Sequence, residues 1–339
     1  MMRSLRILVP NFPAPDSFTD NVVHTLRGMG HEVRCMDRPV SRDRGRIRRI
    51  VHDARAGYFP DTLSGQERWA LLQAKEWKPD LVLCLTLALR EEVLWELKRR
   101  GVGVCAAWWG DTPANMRGMG LLQDGWDQIY LKDVDAVTKF HAVGLPAAVL
   151  HEAANPEWHH PVPSRSQEDS DVVIVAGNYY GYRQFLVGRL ADAGIPLALY
   201  GTKPPRWSTG AVRAHFRNRY IVREEKSRIF HAGLACLNST HLSEGQSLNC
   251  RAFEICATGS LQLIEPKRAL SDCFEPGREV LTYSSVDEIV AHLERARTEP
   301  EWARGIREAG LRRTLAEHTY RHRLTHILND TGLMPRTNA

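Results

Sequence analysis

SEGQSLNCRAFEICATGSLQLIEPKRALSDCFEPGREVLTYSSVDEIVAHL, residues 243–293, decides the fold. From Leu248 to Thr258 the apolar residues recur at helical spacing, and Gly259 stops the run. SLQLIE and EVLTY are short β-type runs bounded by Gly, Pro and charge, and Val286 to Arg297 returns to helical spacing. Strands and helices alternating at such short intervals are the grammar of a parallel sheet with helices on its faces.

The same alternation extends in both directions. Upstream lie a strand at DVVIVAG (171–177), a helix from Arg183 to Ala193 ended by Gly194, and a strand at PLALYG (196–201). A short helix from Ser227 to Ala232 and a strand at GLACLN (233–238) follow. Downstream, one long helical region is expected from Glu301 to Leu328. The first half repeats the pattern, with strands at RILV (6–9), HEVRCMD (31–37), KPDLVLCLT (78–86), VGVCAAWW (102–109), WDQIYLKD (126–133) and AAVLHEA (147–153). Between the halves, PEWHHPVPSRSQEDSD (156–171) is rich in Pro, Ser and charge and reads as a linker. The expected division is therefore an N-terminal domain 1–160, a C-terminal domain 161–315, and a closing helix and tail 316–339 that packs back towards the first domain. The expected fold is α/β, with two Rossmann-like domains whose parallel sheets face a central cleft. In open sheets of this kind ligands bind beyond the carboxyl ends of the strands, so each domain would offer one ligand to that cleft.

Bulk properties narrow the function. A chain of 339 residues suits two cores, and 43% hydrophobic with 25% charged residues is an ordinary globular mixture. Forty-five basic against 40 acidic side chains leave a net charge of +5, which suits a small anionic ligand and is too mild and dispersed for nucleic acid. The densest basic stretch, Arg42, Arg44, Arg46, Arg48 and Arg49, has no interleaved aromatic residue and reads as a solvated face. No apolar run reaches the ~18 residues of a membrane span, and MMRSLRILVP lacks the cleavage site of a signal peptide. The seven cysteines form no CxxC pair or zinc spacing, and Cys84, Cys105 and Cys236 sit in apolar runs; a reducing, cytoplasmic location is expected. GxGxxG, GxxxxGK[ST] and GxSxG are all absent, which argues against dehydrogenase, kinase and hydrolase readings.

Within the deciding stretch, Arg251 and Glu254 stand three apart near a helix N-terminus, where unpaired N–H groups and partial positive charge suit a diphosphate. Arg251 could add a bidentate contact and Glu254 could accept from ribose hydroxyls. Spacing alone equally allows an intrahelical Arg–Glu pair on a solvated face. Asp133 and Asp135 form an Asp-x-Asp, yet they open a helix, so capping is the better reading. His159 and His160 lack partners at metal spacing and read as linker residues; no metal site is expected.

The joint pattern Asn249, Arg251, Phe253, Glu254, Gly259, Phe274, Pro276, Gly277, Glu279, Val280 and Tyr283 resembles the spore-maturation (CgeB-like) glycosyltransferases, relatives of the group 1 glycosyltransferases of the GT-B fold. CLNST (236–240), AGNYYGYRQFLVGRLADAGIPLALYG (176–201) and HTYRHRLTHIL (318–328) are similar to further segments of that family, as are WWGDTP (108–113) and the segment 144–161. The resemblance implies a glycosyltransferase of hexosyltransferase type, with a UDP- or dTDP-sugar as co-substrate and no cofactor or obligatory metal. It places Glu254 on the donor ribose, Glu244 on the sugar, and Arg183, Lys203, Asn249 and Arg251 in the donor site. An acceptor hydroxyl or amine would need a base, for which Asp111 is the first candidate, followed by His151 and Asp16, all on loops after first-domain strands. Asp111 lies in GDTP, where a turn-forming role competes. Two other readings remain: a nucleotide-sugar epimerase on the same fold, and a catalytically silent scaffold.

Overall fold

The computed structural model describes residues 3–38, 63–162 and 171–334. The chain divides into two compact units, Met1–Leu150 together with Leu324–Ala339, and His151–Arg323. His151 to His160, expected at the end of the first domain, thus group with the second unit. The arginine cluster at 42–49 lies outside the described residues, as do residues 163–170 of the expected linker.

The first unit carries a six-stranded sheet of β1 (Arg6–Val9), β2 (Glu32–Cys35), β3 (Leu81–Leu85), β4 (Val104–Trp109), β5 (Gln128–Leu131) and β6 (Ala147–Val149). Its order is β2-β1-β3-β4-β5-β6, and every pairing is parallel. Parallel strands covered on both faces need continuous apolar runs, and LVLCL of β3 is buried along its whole length. Helices α1 (Phe18–Gly28), α2 (Gly65–Trp77), α3 (Glu91–Arg99) and α4 (Val134–Ala142) cover the faces. Ser17 caps α1, Ser64 and Glu67 form a reciprocal capping box on α2, and Asp133 caps α4 through Ala136 N, as expected for that Asp-x-Asp. Strand order reverses direction between β1 and β3. There Asn11 bridges the two strand ends, donating to Leu85 O at 2.8 Å and accepting from Leu85 N at 3.2 Å.

The second unit carries β7 (Val173–Gly177), β8 (Leu197–Gly201), β9 (Ala235–Asn238), β10 (Gln262–Ile264) and β11 (Leu281–Thr282) in the order β11-β10-β9-β7-β8, again wholly parallel. Its helices are α5 (Gly181–Asp192), α6 (Gly210–His215), α7 (Arg223–Ala232), α8 (Cys250–Ala257), α9 (Leu270–Cys273), α10 (Val286–Thr298) and α11 (Pro300–Glu317). Val175, Val187, Leu197, Leu237, Leu263 and Ile289 belong to its main core. The single helical region expected at 301–328 is broken. After α11 the backbone of His318–Tyr320 pairs with Ala154, which receives a bond from Tyr320 N and donates to His318 O, both at 3.0 Å. A helix cannot lend those groups to a bridge and keep its own ladder, so α12 (Tyr320–Asp330) starts afresh. Gly177 and Gly201 pair at the ends of β7 and β8 with φ of 121° and 119°. A Cβ on Gly201 would lie 2.4 Å from Gly177 O, so the two backbones can approach this closely only as glycines.

Candidate functional site

In the second sheet the strand order reverses between β7 and β9, which makes the carboxyl ends of those strands the ligand crevice of the fold. Gly177 closes β7 and Asn238 closes β9. Arg183, on the first turn of α5, is fully buried under this edge. Its Nε donates to Ser239 Oγ at 2.9 Å, Nη1 to Asn178 O at 2.7 Å and Ala176 O at 3.3 Å, and Nη2 to Ser239 O. The guanidinium also stacks 4.6 Å over the Tyr180 ring, whose hydroxyl donates to Ser239 O. Arg183 was expected to face a diphosphate. Its donors are instead spent tying the end of β7 to the end of β9, and its reach to a ligand is limited to its charge.

Arg251 stands half-buried beside it. Asn249 caps α8, accepting from Ala252 N at 3.2 Å, so Arg251 stands in the first turn of that helix. A Cβ on Gly177 would meet Arg251 Nη1 at 2.5 Å and Arg183 Nη1 at 2.9 Å, so two guanidinium groups share the space over one glycine. Burial first, and the Arg251 charge second, push the Arg183 guanidinium down to about 10. Arg251 Nε is buried without a hydrogen-bond partner. Two neighbouring cations with an unspent donor at a helix N-terminus describe a place for an anion.

Asn249, expected among the donor ligands, is a structural residue. It is buried and exchanges two side-chain bonds with Asn238, at 3.0 and 3.1 Å, while Asn238 also donates to Gln262. Glu254 does not pair with Arg251, and its face is not solvated. It is buried, with Oε1 3.0 Å from Lys226 Nζ on α7 and 3.9 Å from His159 Nε2. His159 is likewise no linker residue: it is fully buried and its Nδ1 accepts from Asn155 N at 3.1 Å. Burial first, then the Glu254 and Glu152 carboxylates, push the Cys250 thiol well up, so Glu152 belongs to the same neighbourhood. Lys226 escaped notice because REEKSR has no apolar period, which hid the first turn of α7.

The remaining candidates stand on separate elements. Glu244 lies in a 3-10 turn, nearly buried, accepting from Ser247 Oγ at 3.4 Å. Lys203 is exposed just beyond β8. Asp111, after β4, accepts from Thr112 N at 2.7 Å and from Asn115 Nδ2 at 2.8 Å, so both oxygens serve its own turn. That is the geometry of the turn-forming alternative. His151 packs its ring 6.5 Å from that of Phe253, and its carbonyl accepts from Arg323 Nε at 3.1 Å. Asp16 follows β1, beside the reversal point of the first sheet, with a left-handed φ of 58° and its Oδ1 3.4 Å from Asn21 Nδ2.

Residues 183–329 match the family model described as glycosyl transferase-like. This span holds Arg183, Lys226, Arg251 and Glu254. Among solved structures, the chain is similar to sucrose-phosphate synthase from Thermosynechococcus elongatus, with 14% identity, 98% of this chain and 99% of that chain covered, and a TM-score of 0.66. It is similar to Anabaena HepE, solved in complex with UDP-glucose, at 10% identity, 96% and 100% coverage and a TM-score of 0.65. It is also similar to a glycosyltransferase from Rickettsia africae, at 10% identity, 99% and 100% coverage and a TM-score of 0.64. The fold is GT-B. No curated protein matches the sequence. Among the described residues no helix is long and apolar enough to cross a membrane, and all seven cysteines are free of disulfides.

Proposed function

We propose that this protein transfers a sugar from a nucleoside-diphosphate sugar, UDP- or dTDP-linked, to an acceptor hydroxyl or amine, as a CgeB-like member of the group 1 glycosyltransferases. One observation carries the reading: Arg251 stands at the N-terminal turn of α8, over Gly177 at the β7–β9 reversal, with Arg183 beside it and Nε unspent. The glycosyl transferase-like match over 183–329 and the UDP-glucose held by HepE support it.

In the reaction the bond between the anomeric carbon and the β-phosphate oxygen breaks, and its electron pair leaves with the nucleoside diphosphate. The acceptor atom bonds to that carbon through an oxocarbenium-like transition state, releasing its proton to a base. Arg251, the buried charge of Arg183 and the N-terminus of α8 stabilise the charge growing on the leaving group. With those cations in place the transfer needs no divalent metal. Glu254 accepts from the donor ribose, and Lys203 and Glu244 border the same strand ends. Asp16 is the proposed base, because it follows the strand at the first sheet's reversal point and is held in a strained backbone conformation.

The test is calorimetric titration of UDP, dTDP, ADP and GDP in EDTA, then donor turnover with candidate acceptors followed by mass spectrometry. Binding of one diphosphate in EDTA and sugar-bearing products are expected. Failure of every nucleotide to bind folded protein would point to a scaffold, and donor isomerised without acceptor to an epimerase. Activity lost to chelator and restored by manganese would refute metal independence.

A further inference from the structure

A buried ionic arrangement stands behind the diphosphate place. Glu254 Oε1 receives Lys226 Nζ at 3.0 Å and faces His159 Nε2 at 3.9 Å, and all three residues are buried. Asn155 N donates to His159 Nδ1 at 3.1 Å, so the neutral ring carries its proton on Nε2, directed at the carboxylate. The neighbouring residue on α7, Ser227, donates to Trp158 O at 2.6 Å, which fastens the turn bearing His159 to the helix bearing Lys226. Two elements distant in sequence are thereby locked together on one oxygen. Both contacts fall on Oε1, and Oε2 is the acceptor atom left for a ligand.

Glu254 keeps one orientation because Lys226 Nζ holds Oε1 at 3.0 Å, with His159 Nε2 facing the same oxygen at 3.9 Å. We infer that Lys226 and His159 are positioning residues that hold the Glu254 carboxylate aimed, making the site selective for a ribonucleoside over a deoxyribonucleoside diphosphate. This rests on the donor-site reading above and narrows it, from UDP- or dTDP-linked donors to the ribonucleotide. A held carboxylate left without the hydroxyl it was set to receive is a buried acceptor unsatisfied, and that loss discriminates strongly.

The experiment measures Kd for UDP and for 2′-deoxy-UDP on the full chain by titration calorimetry. Wild type is expected to favour UDP at least ~10-fold, the ratio corresponding to about 1.4 kcal/mol. Lys226→Met should bring the ratio below about threefold, whereas Lys226→Arg should keep most of it. Lys226→Met leaves a buried carboxylate unpaired and can prevent folding. His159→Phe leaves the ion pair intact and should also lower the ratio at least threefold. Purely structural damage would weaken both ligands together and leave the ratio where it was. An unchanged ratio in His159→Phe, or in folded Lys226→Met, overturns the inference. Wild type binding both ligands equally overturns it while leaving the donor site standing, whereas wild type binding neither removes the donor site itself.

Discussion

Arg183 and Arg251 show how little a residue's type says about its work. Both are arginines near strand ends, yet one is enclosed by four acceptor contacts and the other has a buried Nε with no partner. Arg251→Ala should therefore cost nucleotide affinity at least ~10-fold while changing stability by less than about 1 kcal/mol. Arg183→Ala should instead destabilise the fold by about 3 kcal/mol, since it orphans buried carbonyls. Urea melts and calorimetry on the two variants separate these outcomes. His318 offers a second residue-scale test. Its Nε2 donates to Cys273 O and its Nδ1 accepts from Arg323, both at 2.8 Å. Burial first, then the charge of Arg323, depress the imidazole from 6.5 to about 4. Between those values the unfolded chain takes up a proton that the folded chain refuses. Stability is thus full above about pH 6.5 and falls as the pH drops towards 4, by at most about 3 kcal/mol for this group. Urea midpoints at pH 7 and pH 4.5 should show the loss, and His318→Gln should flatten it.

At the level of elements, α8 concentrates the information. Its cap, Asn249, also completes the buried Asn238–Gln262 network, so Asn249→Ala should cost about 2 kcal/mol and change nucleotide affinity less than threefold. A tenfold loss of affinity at unchanged stability would restore it to the donor ligands. The strands were legible because buried parallel strands must be continuously apolar, as LVLCL and VIVA are. Asp133 was legible as a cap for a similarly local reason. What local pattern does not carry is a partner brought from far along the chain. Lys226 and His159 lie 28 and 95 positions from Glu254 and look like surface and linker residues until the fold buries them together. The break before α12 escaped for the same reason, because its cause is the backbone of Ala154.

At the scale of the whole molecule, two parallel sheets followed from alternation alone. Which unit owns a boundary residue did not, as His151 and His159 show. Any ligand that binds only the folded protein must raise its melting temperature. A nucleoside diphosphate at 100 times its Kd should add about 2.7 kcal/mol of stability, unaltered by EDTA. A thermal scan in chelator with and without UDP measures this, and a shift that requires manganese would contradict the proposed mechanism. The two units also differ in how they draw on the polypeptide. His151–Arg323 is one uninterrupted run, whereas the first unit combines Met1–Leu150 with Leu324–Ala339. Within the first unit the late piece is joined to β5 by a 2.8 Å bond between Tyr130 Oη and Asp330 Oδ2. On a ribosome the half made first is therefore completed last. It waits, short of one segment, through the emergence of more than a hundred further residues, and that interval is when a chaperone has most to shield.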